Sequence, residues 1–425
     1  MKTLAFFGIY NPVPGGMSDY CDDLVAELAR RYEVTCYVGE GTRPDRAGRH
    51  ARVLPDTTFR GREDRILHQV GNSLELGFLL PHLRRHGGVV TLHDACQHDV
   101  TYGYFKRHKV RFLIEAFRSL DPEARSVLFS EPGANPFAWY QRIVGHYKAH
   151  PEKRRLFTFS RFILRHADRL VVHSRFLAGY ARSLHRSLPI TILHHGIHAA
   201  AAPGRAEARA LLKKRFGVPV GPRTAVFLSF GTIQEHKRIT GVLEAFRDFV
   251  QDRPDAVYVI VGPKDQGYDV DGVIRTLGLE GKVAILDSYL PMDDVNVCIA
   301  AADLCFNLRY PSLGSSSGAL YKIFAVGRPA VVTSGESMDE FPHEFSLPVP
   351  TPHEGEREAL VALMLRFEAD RTLSDRCGAA ARRFAERECS WSRIAERYEA
   401  LLEGRPETKE AEAAVPALGP VASRK

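Results

Sequence analysis

The chain has 425 residues and a mass of 47.5 kDa, enough for two or three domains at the usual ~100–200 residues each. Hydrophobic residues make up 44%, charged residues 26% and aromatics 10%, which excludes wholesale disorder and a collagen-like repeat. A net charge of +7 suits an anionic ligand or surface, but is too small to indicate nucleic acid.

At the start of the sequence, the apolar run Leu4–Tyr10 ends in Asn11-Pro12 without a small-residue cleavage site, so it predicts a first buried strand rather than a signal peptide. The runs that follow are β-rich and alternate with amphipathic stretches: Asp19–Arg31, Val34–Val38, Val89–Leu92, Arg169–His173, Phe176–Leu184 and Ile190–Leu193. Strands alternating with helices imply parallel βαβ units. The segment at about 96–166 breaks this rhythm. It is helical in pattern and interleaves aromatic with basic residues, among them Tyr102, Phe105, Arg111 and Phe112. Helices over a sheet edge explain it, and so does a module facing an acceptor or an anionic lipid surface.

Residues 199–222 are rich in Ala, Pro, Gly and Arg and are expected to be a linker after a first domain at 1–198. A second βα series then fills 223–385, with strands expected at Ala225–Phe230, Ala256–Val261, Val283–Leu286, Leu304–Leu308 and Ala330–Thr333. A terminal helix at 386–403 and a disordered tail at 404–425 complete the chain. The longest apolar runs fall far short of the ~20 residues needed to cross a bilayer. Seven cysteines without a Cys-x-x-Cys pair suggest neither a zinc knuckle nor a disulfide framework, and are expected as buried thiols in a cytoplasmic protein.

The loop Asn11–Asp19 contains Gly15 and Gly16 and lies between the first strand and the first helix. This is where open α/β sheets bind ligands, and a helix N-terminus there offers unpaired N–H groups to a phosphate. Together with Gly71-Asn72-Ser73, Leu92-His93-Asp94, Val172-His173-Ser174, His195-Gly196-Ile197, Phe230-Gly231, Lys237-Arg238, Leu308–Pro311 and Ser317-Gly318, the sequence resembles a retaining glycosyltransferase of the GT-B fold, family 4-like, in the glycosyltransferase group 1 class. The resemblance runs in order over most of residues 1–400.

It implies an α/β fold of two Rossmann-like, doubly wound domains facing across a cleft, with a helical insertion in the N-terminal, acceptor-binding one. It implies transfer of a hexosyl unit from a nucleotide diphosphate sugar to a glycan or lipid-linked acceptor, with no cofactor and no metal; the expected place is the cytoplasm, with the inner face of the membrane as the alternative that the 96–166 segment raises. His93 resembles the active-site histidine, with Gly15, Asp94 and Glu336 as acceptor or sugar contacts. Gly16, Lys237, Arg238, Gly314, Ser315, Ser316, Ser317 and Gly318 are similar to the donor-binding residues. A leaving diphosphate needs cations and oriented N–H groups, which is what Lys237 and the small-residue loop supply.

The sequence departs from the family in two places. Thr232 stands where an Arg is common, and the two usual donor-loop glutamates are absent. Matching on the Ser-rich loop puts Ser315 and Ile323 at those positions, whereas counting back from Gly327-Arg328-Pro329 puts Gly314 and Lys322 there. A non-catalytic binding or scaffold subunit of a glycan-assembly complex is the alternative. His93, His98 and Asp99 match no standard metal-ligand spacing.

Overall fold

The structure is a computed structural model that describes residues 1–405 apart from 14, 43, 106–108, 120–157, 311, 313 and 353. The expected tail from 406 onward and much of the expected 96–166 insertion therefore lie outside the described residues. The chain divides into two units: Met1–Gly196 with Leu313–Ser316 and Trp391–Lys425, and Ile197–Ser312 with Ser317–Ser390.

The first unit contains a seven-stranded sheet in the order β3-β2-β1-β4-β5-β6-β7. Its strands are β1 Thr3–Phe7, β2 Glu33–Val38, β3 Arg52–Pro55, β4 Arg65–Val70, β5 Val89–Leu92, β6 Arg169–Val172 and β7 Ile190–Ile192, and neighbouring strands pair in parallel. A parallel sheet is covered on both faces, so an inner strand such as β1 is apolar at every position rather than at alternate ones. Leu4 and Phe6 pack under the helices Gly16–Leu28 and Trp391–Leu402, while Ala5 and Phe7 face the opposite core. The strand order reverses between β1 and β4, which opens a crevice at their carboxyl ends.

In the second unit, six strands follow the order β10-β9-β8-β11-β12-β13, with ranges Ala225–Phe230 (β8), Ala256–Val261 (β9), Val283–Leu286 (β10), Leu304–Phe306 (β11), Ala330–Thr333 (β12) and Ser346–Val349 (β13). This is the doubly wound order that places the ligand crevice between β8 and β11. Residues 199–222, expected as a linker, group with the second unit. The helix Arg205–Phe216 lies within them, and its Ala208 and Leu212 are fully buried in the second core. Asp303, at the start of β11, is 1% exposed and takes bonds from Arg209 Nη2 at 2.7 Å, Arg205 Nη1 at 3.0 Å and the Val226 amide at 2.8 Å. Pairing of that kind is what lets a buried carboxylate stay charged.

The terminal helix expected at 386–403 is interrupted at Cys389-Ser390. Arg371–Glu388 stays in the second unit, and Trp391–Leu402 joins the first. Trp391 packs on Gly196 so closely that a Cβ on that glycine would lie 2.1 Å from the indole. All seven cysteines are free and buried. No helix among the described residues is long and apolar enough to cross a membrane.

Candidate active site

The carboxyl end of β8 turns at Gly231, whose φ of 112° is a conformation glycine tolerates and L-residues rarely adopt. A Cβ here would lie 2.7 Å from Lys237 Nζ, so the bare backbone makes room for the ammonium. Lys237 has no ion pair among the described residues. Burial, reinforced by the Arg309 charge, holds its pKa down at about 7. Two cations brought together without a carboxylate on the lysine form a site that gains from an anion.

Arg309 follows β11 on the other side of the same crevice. Its backbone N–H donates to Thr333 Oγ1 at 3.1 Å, and Nη2 donates to Ser317 Oγ at 3.1 Å. Ser317, 1% exposed, donates to Asn307 Oδ1 at 3.0 Å and caps the helix Gly318–Val326 by accepting from the Leu320 amide at 3.4 Å. The hydroxyl expected at the phosphate is thus used to anchor the helix start, a contribution of about 1 kcal/mol. With the Leu320 amide taken by Ser317, what this helix start offers an anion is the N–H groups of Gly318 and Ala319, which have no acceptor within the helix. A Cβ on Gly318 would meet nothing within 4 Å, so the approach is open.

The other expected donor residues are placed differently. Arg238 has a positive φ of 57° and gives its guanidinium to the buried Glu356, Nη2 to Oε2 at 2.6 Å, so its charge is matched inside the fold. Gly314, Ser315 and Ser316 group with the first unit, whereas Ser317 and Gly318 belong to the second. Gly314 is buried with φ at 74°, and a Cβ there would lie 2.8 Å from Phe176.

The register that pairs Ser315 with Ile323 runs against the fold, because Ile323 is fully buried in the second core. In the other register, Lys322 is half-buried on that helix. Glu336 opens the short 3-10 helix Glu336–Glu340, and its side chain lies outside what the structure describes.

In the first unit, strand register gathers a different chemistry. Gln69 pairs with Thr91, and Leu92 with Val172, so Gln69, Thr91, His93 and His173 all project from one face. A buried chain of bonds runs along this face. Tyr20 and Tyr398 share a bond of 2.8 Å, Tyr398 and Thr91 one of 2.9 Å, Gln69 Nε2 donates to Thr91 Oγ1 at 3.1 Å, and His93 Nε2–H donates to Gln69 Oε1 at 2.9 Å. The Tyr20 ring meets His93, His173, His195 and Trp391 edge-on at centroid distances of 4.9–5.3 Å.

Burial, with His173 alongside, holds the His93 imidazole well below the usual histidine pKa. Burial pushes His173 down to about 4. Both rings are therefore neutral at pH 7. A neutral imidazole suits a hydroxyl or a developing partial charge better than a diphosphate.

Asp94, expected as an acceptor or sugar contact, accepts the Asn72 amide at 3.2 Å. Gly15 caps the helix that Gly16 opens, and a Cβ on either would meet nothing within 4 Å. Gln69, Tyr20 and the place of Arg309 beside Lys237 do not stand out in the sequence. An amide buried within an otherwise apolar strand is the one signal that marks Gln69.

Residues 213–384 match the sequence model of the family described as Glycosyl transferases group 1. No curated protein matches the chain. Among solved structures, HepE from Anabaena in complex with UDP-glucose is 15% identical at a TM-score of 0.66, over 95% of this chain and 100% of that one. Sucrose-phosphate synthase from Thermosynechococcus elongatus is 16% identical at 0.64, over 95% and 99%. WaaG, a glycosyltransferase involved in lipopolysaccharide biosynthesis, is 16% identical at 0.60, over 94% and 100%. At such identities the structural likeness speaks for the fold, and the matched segment speaks for the family. Residues 213–384 thus form a domain of the glycosyl transferases group 1 family, and the whole chain shares its two-sheet α/β fold with these solved structures.

Proposed function

We propose that the protein transfers a hexosyl unit, with retention of configuration, from a nucleotide diphosphate sugar to a glycan or lipid-linked acceptor. The observation that carries the donor half is Lys237, a cation without an ion pair among the described residues, set beside Arg309 and near the capped start of helix Gly318–Val326. In that role Lys237 and the helix-start N–H groups offset the charge that develops on the departing diphosphate. The complexes of HepE with UDP-glucose and with UDP support a nucleotide-sugar donor. His93, neutral and held by Gln69, is assigned to the transferred sugar, where it acts mainly on the transition state.

For the acceptor, the helix Lys109–Ser119 exposes Val110, Ile114 and Phe117 at one-turn spacing, with Arg111 and Arg118 also exposed. An apolar stripe beside arginines suits an anionic lipid surface, which supports a lipid-linked acceptor at the inner face of the membrane.

The test is to incubate the protein with a panel of nucleotide diphosphate sugars and follow nucleotide release and the anomer of the released sugar. The expected result is turnover of one donor with its anomeric configuration kept. If no donor is bound or turned over, the alternative of a non-catalytic subunit takes its place.

A further inference from the structure

Three imidazoles from three neighbouring strand ends meet in the first unit. His93 and His173 follow the paired residues Leu92 and Val172, and His195 lies just beyond β7. Their ring centroids are 4.9 Å (His93 to His173), 4.3 Å (His173 to His195) and 6.0 Å (His93 to His195) apart. One ligand nitrogen from each ring lies within 4.8 Å of the other two.

The tautomers are set by second partners. His173 donates Nδ1–H to the Leu193 carbonyl at 2.8 Å, which makes Nε2 its lone-pair nitrogen. That Nε2 is buried without a hydrogen-bond partner, on a residue 3% exposed. His93 spends Nε2–H on Gln69 Oε1 at 2.9 Å, which makes Nδ1 its lone-pair nitrogen. A backbone carbonyl and an amide oxygen fixing imidazoles from behind are the outer partners that metal-bound histidines take. An isolated buried acceptor, by contrast, is a net cost to the fold.

We propose that His93, His173 and His195 bind one divalent transition-metal ion, with zinc the best match, and that occupancy inhibits transfer by withholding His93 from the sugar. Three neutral nitrogen ligands without a carboxylate exclude a magnesium- or calcium-type site, and three histidines with an open fourth position are a recurrent zinc set. Tetrahedral Zn–N bonds of ~2.0–2.1 Å would draw the nitrogens together by up to about 1.5 Å at the widest pair. His195 is only half-buried, which gives the ion an entry path. The binding claim needs only the three rings, whereas the inhibition rests on the transfer role assigned to His93.

The experiment uses the full chain, stripped by a chelator and titrated with Co(II) and Zn(II). The expected result is one equivalent bound, a tetrahedral cobalt spectrum without a thiolate charge-transfer band, and imidazole nitrogens in the X-ray absorption of the zinc form. His173→Ala and the less buried His195→Ala should each weaken uptake about tenfold or more. Absence of saturable uptake, a thiolate band, or full uptake by His195→Ala would overturn the site. Zinc binding that leaves donor turnover unchanged would overturn the inhibition and the sugar role of His93, while leaving the site standing.

Discussion

The two sheets share one winding rule yet gather opposite chemistries at their carboxyl ends. The crevice beside β8 and β11 collects charge: Lys237, Arg309 and the start of a helix. The face of β4, β5 and β6 collects neutral groups: Gln69, Thr91, His93 and His173, tied to Tyr20 and Tyr398. Topology fixes where a ligand can sit, and the side chains that end the strands decide what it is. Cations beside N–H groups favour phosphate, whereas neutral hydroxyls, amides and imidazoles favour a sugar.

The comparison breaks first if the second sheet's helix is read in the wrong register. Ile323→Glu would place an unpaired carboxylate in the core and should cost about 3 kcal/mol or more, seen as a large fall in melting temperature. Lys322→Glu should fold normally. If that position meets the ribose, as the family pattern implies, the added carboxylate tightens nucleotide binding. A stable Ile323→Glu protein would mean that the helix is rotated relative to this account.

On the neutral side, His93→Ala should lower kcat about a hundredfold or more while changing donor affinity little, as expected of a group that acts on the transition state. A variant with normal turnover and a lowered melting temperature would assign His93 to packing alone. The smallest effect expected concerns the terminal helix that supplies Tyr398 to this face. Gly196→Ala forces a methyl group against Trp391 and should cost about 1–3 kcal/mol of stability in the first unit. An unchanged melting temperature would show that Trp391 has room to move.

Much of the fold is legible in the sequence because inner parallel strands are short apolar runs followed by small residues: Thr3–Phe7 before the Gly15-Gly16 loop and Ala225–Phe230 before Gly231 both announce themselves. The strand β4 does not. Its His68 and Gln69 read as polar, yet both are fully buried, with His68 Nε2 bonded to the Gly87 carbonyl and the Gln69 amide bonded to Thr91 and His93. The edge strand β3 is hidden for the opposite reason, since it is largely solvated and ends in a proline.

His93 stands out by its motif, but its grouping with His173 and His195 depends on strand register that no local pattern encodes. The same holds for Lys237. Its place is legible from the loop after β8, while its lowered pKa comes from burial and from Arg309, which arrives from a distant strand.

The most direct test of the central claim is a calorimetric comparison of UDP and uridine binding to the wild-type protein and to Lys237→Ala. If the charged crevice holds the diphosphate, UDP binding should weaken about ten- to a hundredfold in the variant, with uridine binding unchanged. Wild-type affinity for UDP should also decline as pH is raised above about 7, where the free ammonium loses its proton, and the variant should lack that decline. Equal UDP affinity in both proteins, or the same pH profile in both, would contradict the assignment of Lys237 to the diphosphate.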